Sequence, residues 1–404
     1  MKLFIVQTYL GGGGAERVGV LLAKGLADYN HQVYMVTNLQ DDQHYEVDSN
    51  VCLLNLVPSQ KTKLQKWGGA IRQLRKLLKE YRPDCIIGIM ELCSFIAKLA
   101  SVGMKIPVIA TEHNAFERPI TAPLPLVQKF FKYKVNRIYD VVTVLTDADI
   151  RFIGNRLHNV HVMPNPLALK PVEQIPEKKK VVLAAGRLDA WYTKGFDVLI
   201  RAWARVVSSS SHSEATDAAF KRPEGRSKAA SCVQGSNSSQ WRLQIAGTGS
   251  EESLQYLKQL CKENGVEDTV DFLGFRTDIE ELYKQSEIFV LSSRYEGFGL
   301  VLIEAMSQGC ACVACDYHGR QREILEELKD GRIEELKSGS YEECKNGILC
   351  PPEDVEALAK GIKRMMEDEE YRKSVQKNVI ERSKFYSLDN TTIRWNSLLE
   401  RIVK

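Results

Sequence analysis

The sequence lacks several features that would assign it to a membrane or secreted class. In its 404 residues, no run approaches the roughly 18 consecutive apolar residues of a membrane-spanning helix. The first residues, MKLFIVQTYLGGGG, are typical of a β-strand and a glycine loop rather than of a secretory signal. Together these absences predict a cytoplasmic protein.

Net charge and cysteine spacing exclude two further classes. A formal net charge of +3 is too small to indicate nucleic-acid binding by itself. Most of the ten cysteines lie in apolar stretches, where cysteine behaves as a small hydrophobe. The densest group, GCACVACDY, has no second cysteine or histidine pair at zinc-finger spacing, and His318 is the only nearby candidate ligand. We therefore predict buried strands and no metal site.

Short apolar runs that alternate with helical patterns predict parallel sheets, and the length suits two domains. We expect a Rossmann-like domain at 1–165, a proline-rich linker at 166–180, and a second Rossmann-like domain at 181–385. A C-terminal helix at 386–404 is expected to pack back on the first domain. Serine-rich residues 208–239 are predicted to form a disordered insertion, and 325–345 a charged helical excursion.

The same pattern gives individual elements. Strands are predicted at 2–8, 32–37, 84–89, 107–111, 140–145, 181–185, 241–246, 269–273, 287–291 and 311–315. Helices are predicted at 15–29, 64–80, 195–207, 251–263, 278–285 and 299–308.

Glycine-rich turns follow several predicted strands and precede helices. YLGGGGAERVGVLL and IAGTGSEE both place glycines where a helix N-terminus offers free N–H groups to an anion. The first turn departs from GxGxxG spacing, and no acidic residue ends the second strand, so the dinucleotide fingerprint is incomplete. A tight structural turn remains the alternative.

Two cations lie past a strand end in AAGRLDAWYTKGFDVLI. Arg187 and Lys194 suit a phosphate-bearing ligand or a departing diphosphate, although two solvated surface charges would give the same pattern.

A third stretch, RYEGFGLVLIEAM at 294–306, combines glycines with two carboxylates. Gly297 and Gly299 would let phosphate oxygens reach bare amides at a helix start. Glu296 and Glu304 could accept hydrogen bonds from sugar and ribose hydroxyls. The stretch therefore predicts a site for a nucleoside-diphosphate sugar.

The motifs GGGGAE, GRL…KG, AGTGSE, FLGF and EGFGLVLIEAM occur in the order and spacing of the retaining GT-B glycosyltransferases of family 4. The chain resembles that family over nearly its whole length, outside 208–239 and 325–345. The resemblance implies an α/β GT-B fold, two Rossmann-like domains whose parallel sheets face a central cleft. It implies that the domain at 1–165 binds the acceptor and that the domain at 181–385 binds the nucleotide sugar. It also implies a metal-independent hexosyltransferase without a cofactor, and a nucleotide-sugar donor that we expect to be a UDP-sugar.

The resemblance also implies residue roles. Arg187 and Lys194 would stabilise the leaving diphosphate, Glu296 would contact the donor sugar, and His113 would lie beside that sugar. The base would lie near 271–275. The full donor-binding set is Gly13, Gly14, Gly247, Gly249, Phe275, Gly297, Phe298, Gly299, Leu300 and Glu304, the last contacting the ribose. Gly12 and Glu16 would border the acceptor. In DYHGRQREIL the chain departs from the family's shorter run, so no roles are carried to 316–323.

Other functions remain open at this point. Asp147 and Asp149 in TDADI could represent the DxD motif of a metal-dependent transferase, but they also suit ordinary helix capping. A sugar-nucleotide epimerase or a non-catalytic nucleotide-binding protein could share the architecture.

The acceptor is expected to be a glycan or a polyprenyl-linked lipid. Two basic segments, KTKLQKWGGAIRQLRKLLKEYR and PLVQKFFKYKVNR, could contact an anionic membrane at its inner face or could simply be amphipathic core helices.

Overall fold

A computed structural model describes residues 1–7, 9–11, 13–38, 45–56, 63–118, 123–219, 240–325 and 336–403. They form two units. The N-terminal unit comprises Met1–Lys170, Glu296–Leu300 and Lys384–Lys404, and the C-terminal unit comprises Pro171–Tyr295 and Val301–Ser383.

The strands and helices are numbered along the chain. The strands are β1 (Lys2–Val6), β2 (Gln32–Thr37), β3 (Cys52–Asn55), β4 (Cys85–Ile89), β5 (Val108–Thr111), β6 (Val141–Val144), β7 (Val160–Val162), β8 (Lys179–Ala185), β9 (Arg242–Ala246), β10 (Val270–Gly274), β11 (Ser286–Leu291), β12 (Ala311–Cys315), β13 (Glu342–Cys344) and β14 (Gly347–Cys350). The helices are α1 (Gly14–Asp28), α2 (Lys63–Tyr81), α3 (Met90–Ala100), α4 (Leu126–Tyr133), α5 (Asp147–Ile153), α6 (Trp191–Lys194), α7 (Phe196–Ala219), α8 (Glu251–Glu263), α9 (Ile279–Gln285), α10 (Leu300–Ser307), α11 (Arg320–Leu325), α12 (Val355–Glu367), α13 (Glu369–Ser383) and α14 (Leu388–Ile402).

The N-terminal unit is built on a parallel sheet with the strand order β3-β2-β1-β4-β5-β6-β7. Side chains alternate between the two faces of each strand, and both faces are buried. Leu3 and Ile5 of β1 pack with α1 and α14 on one face, while Phe4 and Val6 pack with α2 and α3 on the other.

The C-terminal unit repeats this plan with the strand order β10-β9-β8-β11-β12-β14-β13. Among its described residues, the strand pairs are parallel except for β13–β14. β12 is buried along its whole length, as the apolar run ACVAC predicts.

Two predicted excursions differ from the structure. Helix α7 continues to Ala219, because no proline or glycine interrupts 196–219, so residues 208–219 extend a helix rather than begin an insertion. Residues 220–239 lie outside the described part of the chain. Within the predicted helical excursion 325–345, Glu342–Cys344 form β13, which pairs with the edge of β14. Residues 326–335 are not among those described.

Among the helices of the described residues, none combines the length and the apolar character needed to cross a lipid bilayer.

Candidate active site

The carboxyl ends of the parallel strands of the C-terminal unit meet at one edge of its sheet. Arg187 lies just past β8, Gly247 follows β9, and Phe275 follows β10. Ser292 and Asp316 follow β11 and β12. The fold therefore gathers three of the predicted donor-site residues at the edge where ligands of parallel sheets bind.

The turn that carries Arg187 is fixed by a carboxylate. Asp189 Oδ1 accepts hydrogen bonds from Ser250 N at 2.8 Å, Ser250 Oγ at 2.7 Å and Ser253 Oγ at 2.9 Å. These bonds, with a smaller contribution from the nearby charge of Arg187, lower the pKa of Asp189. Arg187 itself is exposed, so its guanidinium is accessible to an anionic ligand.

The two glycines that follow β9 are explained by packing within the protein. A Cβ on Gly247 would lie 1.8 Å from the carbonyl oxygen of Gly186, and one on Gly249 would lie 2.7 Å from Leu188 Cβ. Close contact between two loops therefore requires glycine at both positions. Their predicted contact with the donor remains a prediction.

The segment that carries Lys194 is bound to the residues that follow β11. The hydroxyl of Ser292 donates to the carbonyl of Lys194 at 2.8 Å, and Arg294 N donates to the carbonyl of Thr193 at 2.8 Å. Gly195 ends α6 in the left-handed region with φ +65°. A Cβ there would lie 1.9 Å from the carbonyl oxygen of Ser292. The backbone around Lys194 is thus set by its contact with β11.

Arg294 connects three loops of this edge. Its guanidinium binds both carboxylate oxygens of Asp197, and its Nε donates to Glu353. It also lies over the ring of Tyr192, 3.9 Å from the centroid. Burial opposes its charge, but the hydrogen bonds with Asp197 and Glu353 raise the pKa of Arg294 above the ordinary arginine value.

No role is predicted for Arg294 from the sequence, although this residue begins the stretch RYEGFG. Its position one residue after a pair of serines at a strand end, directly before the glutamate motif, was a usable signal. Its partner Asp197 lies 97 residues away in the sequence, so the pair itself becomes visible only in the fold.

The second glutamate of the motif is buried. Glu304 lies in α10 with 4% of its surface exposed, and the hydroxyl of Tyr283 donates to its Oε2 at 3.4 Å. The predicted contact of Glu304 with a ribose remains a prediction.

Residues 296–300 belong to the N-terminal unit, unlike the predicted division of the chain at 181–385. A Cβ on Gly297 would lie 2.8 Å from the carbonyl oxygen of His113 and 3.2 Å from Ala115 N. The backbone that approaches Gly297 is therefore the protein's own. Glu296, the predicted sugar-contacting residue, precedes this contact and is partly exposed.

The rest of the EGFG motif also packs within this unit. The Phe298 side chain is buried, with its ring edge-on to Tyr386 at 5.6 Å between centroids. Gly299 has φ +94°, which requires glycine. A Cβ on Gly14 would lie 3.2 Å from Leu300 Cδ1, so the glycine turn and the start of α10 are neighbours. Their predicted donor-binding roles are not tested by these contacts.

The glycine turn after β1 leads into α1. Gly13 is the N-cap residue, with an extended backbone and no side-chain cap. Glu16 is in the first turn, where a carboxylate is favourable to the helix dipole. A Cβ on Gly13 would lie 2.0 Å from the Oε2 of Glu16, which is the end of a flexible side chain. Gly12 lies outside the described residues.

The His113 ring, just past β5, is held on both sides. Its Nε2 lies 2.9 Å from Thr111 Oγ1, and its Nδ1 lies 3.0 Å from Asn165 Oδ1. Burial lowers the pKa of His113 to about 4, so the ring is neutral at neutral pH. Both ring nitrogens are thus used inside the unit, and its proposed place beside the donor sugar stays a prediction.

A buried ion pair next to His113 was not expected from the sequence. Lys132 Nζ lies 2.7 Å from Glu112 Oε2, and the side chains are 1% and 4% exposed. Asn136 Nδ2 donates to the other oxygen of Glu112 at 3.0 Å. Burial, with the charge of Glu112 as the next cause, raises the pKa of the neighbouring Glu91 to about 7.

The described residues contain no group of three histidine, cysteine or acidic side chains that could hold a metal ion. Asp149, half of the DxD candidate, instead accepts a hydrogen bond from the backbone N of Phe116 at 3.1 Å and one from the Thr146 hydroxyl at 3.0 Å.

Comparison with known protein families covers both units. The family described as "Glycosyl transferases group 1" matches residues 168–382, and the family described as "Glycosyltransferase Family 4" matches residues 12–170. The chain belongs to the glycosyl transferases group 1 family. It is a glycosyltransferase, and the α/β fold with two Rossmann-like units is the GT-B fold.

Two relatives of this glycosyltransferase match it over nearly their full length. A Campylobacter jejuni protein is 24% identical over 100% of this chain and 99% of its own. Its name is GalNAc-alpha-(1->4)-GalNAc-alpha-(1->3)-diNAcBac-PP-undecaprenol alpha-1,4-N-acetyl-D-galactosaminyltransferase. An amylovoran biosynthesis glycosyltransferase of Erwinia amylovora is 25% identical over 98% of this chain and 99% of its own.

Solved structures show the same fold. The sucrose-phosphate synthase of Thermosynechococcus elongatus superposes with a TM-score of 0.75 at 18% identity, covering 99% of this chain and 98% of its own. The Anabaena protein HepE, solved in complex with UDP, gives a TM-score of 0.70 at 18% identity and covers 99% of this chain and 100% of its own.

Proposed function

We propose that this glycosyltransferase moves a hexose or N-acetylhexosamine from a UDP-sugar to a glycan or lipid-linked acceptor, with retention at the anomeric carbon. The observation that carries the proposal is the arrangement at the carboxyl edge of the C-terminal sheet. There, the Arg187 loop is fixed by the N-terminus of α8, and the Lys194 loop by the residue that follows β11. Two cations at such an edge suit a pyrophosphate.

In the proposed reaction, Arg187 and Lys194 offset the negative charge that develops on the departing nucleoside diphosphate. The acceptor hydroxyl forms its bond to the anomeric carbon on the face that the diphosphate leaves, and its proton passes to the leaving phosphate. Glu296 would bind sugar hydroxyls, Glu304 the ribose, and the loop around Phe275 the base. No step requires a metal or a cofactor.

The acceptor part of the proposal is supported by names of relatives. The Campylobacter relative is named for a diphospho-undecaprenol-linked glycan, and the Erwinia relative for amylovoran biosynthesis. We therefore propose a role in cell-surface polysaccharide or glycolipid synthesis, at the inner face of the plasma membrane, where a polyprenyl-linked acceptor would be exposed.

The test is slow hydrolysis of a panel of nucleotide sugars by the purified protein, with the anomer of the released sugar read by NMR. We expect a UDP-sugar to be cleaved with retention. Arg187→Ala and Lys194→Ala should each lower the rate by roughly 10²-fold or more. The matched controls are Arg205→Ala on α7, whose partner is Glu356 at the surface, and Lys363→Ala on α12.

Each alternative predicts a different outcome. Unchanged turnover in both cation variants would remove the site assignment, and an inverted product would exclude retention. A C2-epimerised sugar formed without acceptor would identify an epimerase, UDP binding without turnover a non-catalytic protein, and loss of activity with EDTA a metal enzyme.

A further inference from the structure

Helix α4 has the opposite polarity to an ordinary surface helix. Leu126, Val127 and Phe130 are 85%, 69% and 57% exposed, whereas Lys132 on the same helix is 1% exposed. A surface helix normally buries its apolar stripe and solvates its lysines. The outward face of α4 therefore presents three large apolar side chains.

The inward face of α4 is fixed by electrostatic contacts. Lys132 Nζ binds Glu112 and also the carbonyl of Asn114 at 3.3 Å, and it lies 4.3 Å from the centre of the Phe116 ring. A rotation that buried the apolar side chains would pull Lys132 away and leave Glu112 as an uncompensated buried charge. The ion pair thus holds the apolar face outward.

The neighbouring helix α3 extends this apolar face. The rings of Phe95 on α3 and Phe131 on α4 meet edge to face at 5.2 Å between centroids, so the two helices are in contact through these rings. The exposed apolar side chains of the two helices and the residues just after α3 are Leu92, Leu99, Val102, Leu126, Val127 and Phe130. We call these residues the α3–α4 surface.

The charge on the α4 side of this surface has one sign. No acidic residue occurs between Glu117 and Asp140, and Lys129, Lys134 and Arg137 are exposed within this stretch. Exposed apolar side chains flanked by lysine and arginine match the boundary of a bilayer that contains anionic lipids.

The other basic segment noted in the sequence lacks this arrangement. Helix α2 buries Leu74, Leu77 and Leu78 in the core of its unit. It follows ordinary amphipathic packing, although Trp67 near its start is exposed. The structure therefore favours α4 over α2 as a lipid-contacting element.

We propose that the α3–α4 surface docks this enzyme on an anionic lipid bilayer, with Leu126, Val127 and Phe130 entering the headgroup region. The inference deepens the proposed function and rests on it in one respect, because a lipid-linked acceptor gives the docking its purpose. The docking itself is a property of the N-terminal unit.

The test is cosedimentation of the full chain with vesicles of equal parts phosphatidylglycerol and phosphatidylcholine, compared with pure phosphatidylcholine, at low salt. Wild type should bind the anionic vesicles more strongly. Leu126→Ser combined with Phe130→Ser should lower the partition coefficient by about tenfold or more. Lys129→Glu combined with Lys134→Glu should lower it by roughly tenfold and remove the preference for anionic lipid. The matched control is Ile393→Ser, an exposed apolar residue of α14, and it should bind as wild type.

UDP binding and UDP-sugar hydrolysis are measured on the same variants, and both should be unchanged. Equal vesicle binding by wild type and the Leu126/Phe130 variant would overturn the proposal, as would absence of wild-type binding. A wild-type dimer in analytical ultracentrifugation that this variant abolishes, without vesicle binding, would show an interface between copies instead. Vesicle binding without UDP binding would refute the proposed function and leave the docking surface intact.

Discussion

The guanidinium of Arg294 donates hydrogen bonds to both carboxylate oxygens of Asp197, with Nη1–Oδ1 at 2.7 Å and Nη2–Oδ2 at 2.9 Å. Asp197 begins α7 just after Lys194, and Arg294 leads into Glu296. The pair therefore links two segments that carry proposed donor-binding residues. The planar fork of arginine matches a carboxylate in a way that lysine does not.

We expect Arg294→Gln to raise the KM for the donor and to lower kcat/KM by roughly tenfold or more, because the Lys194 segment loses its anchor. The Arg294 side chain is 11% exposed, and without it Asp197 keeps only a 3.4 Å contact with the more exposed Arg201, so the loss should cost about 3 kcal/mol of unfolding free energy. Arg294→Lys should recover stability more than it recovers KM. The measurements are donor kinetics and urea unfolding.

The control for this prediction is Arg205→Ala, which breaks an exposed pair with Glu356 and should cost less than about 1 kcal/mol. If Arg294→Gln lost stability with an unchanged donor KM, the residue would be structural only.

Local patterns in the sequence predict many of the buried strands and amphipathic helices, although β7, β14 and α12 have no counterpart among the predictions. The bounds predicted for β2, α8 and β12 agree with the structure. Strands with both faces buried give continuous apolar runs, and α8 has a serine N-cap with its side chain on Ser253 N. β3 and β13 were missed because they are short and lie at sheet edges, where half-exposed side chains give no clear alternation.

The candidate site is predictable only where its residues are consecutive. The glycine motifs and the two cations can be recognised as short sequence motifs. By contrast, Arg294 and Asp197 are 97 positions apart, and Lys132 and Glu112 are 20 positions apart. The sequence of α4 also does not reveal which of its faces is buried, because Lys132 is buried by Glu112, which lies outside this helix. Tertiary contacts, rather than local sequence, thus determine which charged side chains pair and which face of α4 is buried.

Gly195 and Gly265 offer a matched test of close approach against backbone strain. Both have φ near +65°, but a Cβ on Gly195 would meet Ser292 O at 1.9 Å, while Gly265 has nothing within 4 Å. Gly265→Ala should cost only the left-handed strain of about 1 kcal/mol. Gly195→Ala should cost several kcal/mol more and should weaken UDP binding, because the Lys194 turn must move. Calorimetry with UDP and urea unfolding measure both. Equal losses in the two variants would contradict the packing account.

The Lys132–Glu112 pair predicts non-additive stability changes. Lys132→Met leaves a buried carboxylate without its cation and should lower the unfolding free energy by about 3–5 kcal/mol. Adding Glu112→Gln should restore part of this loss, because the remaining charge is removed. Lys98→Met, which breaks a more exposed pair with Asp140, should cost less than about 1 kcal/mol. A double variant that loses the sum of both single losses would refute the coupling.

The His113 pKa of about 4 predicts a stability slope at acid pH. The unfolded chain takes up a proton near pH 6.5 and the folded chain only near pH 4, so this group makes stability rise with pH between those values. The full effect is up to about 3 kcal/mol. His113→Asn should flatten the slope in urea unfolding at pH 4.5, 5.5 and 6.5. An unchanged slope in that variant would mean that the ring is not held neutral.

Glu91 should act in the opposite direction. Burial, followed by the charge of Glu112, raises its pKa to about 7, so the folded state keeps a proton that the unfolded chain releases near pH 4.5. Stability then falls as pH rises from 4.5 to 7. Glu91→Gln removes the ionisation, so this variant should be more stable than wild type at pH 8 and nearly equal to it at pH 4.5. Glu80→Gln, at an exposed position of α2, should show no such difference between the two pH values.

The pH dependences that His113 and Glu91 give to stability oppose each other. Wild type should therefore show little net change in stability from these two groups between pH 4.5 and 6.5. The two single variants should diverge from wild type with opposite sign. Divergence of both variants in the same direction would show that at least one of the two groups has an ordinary pKa in the folded protein.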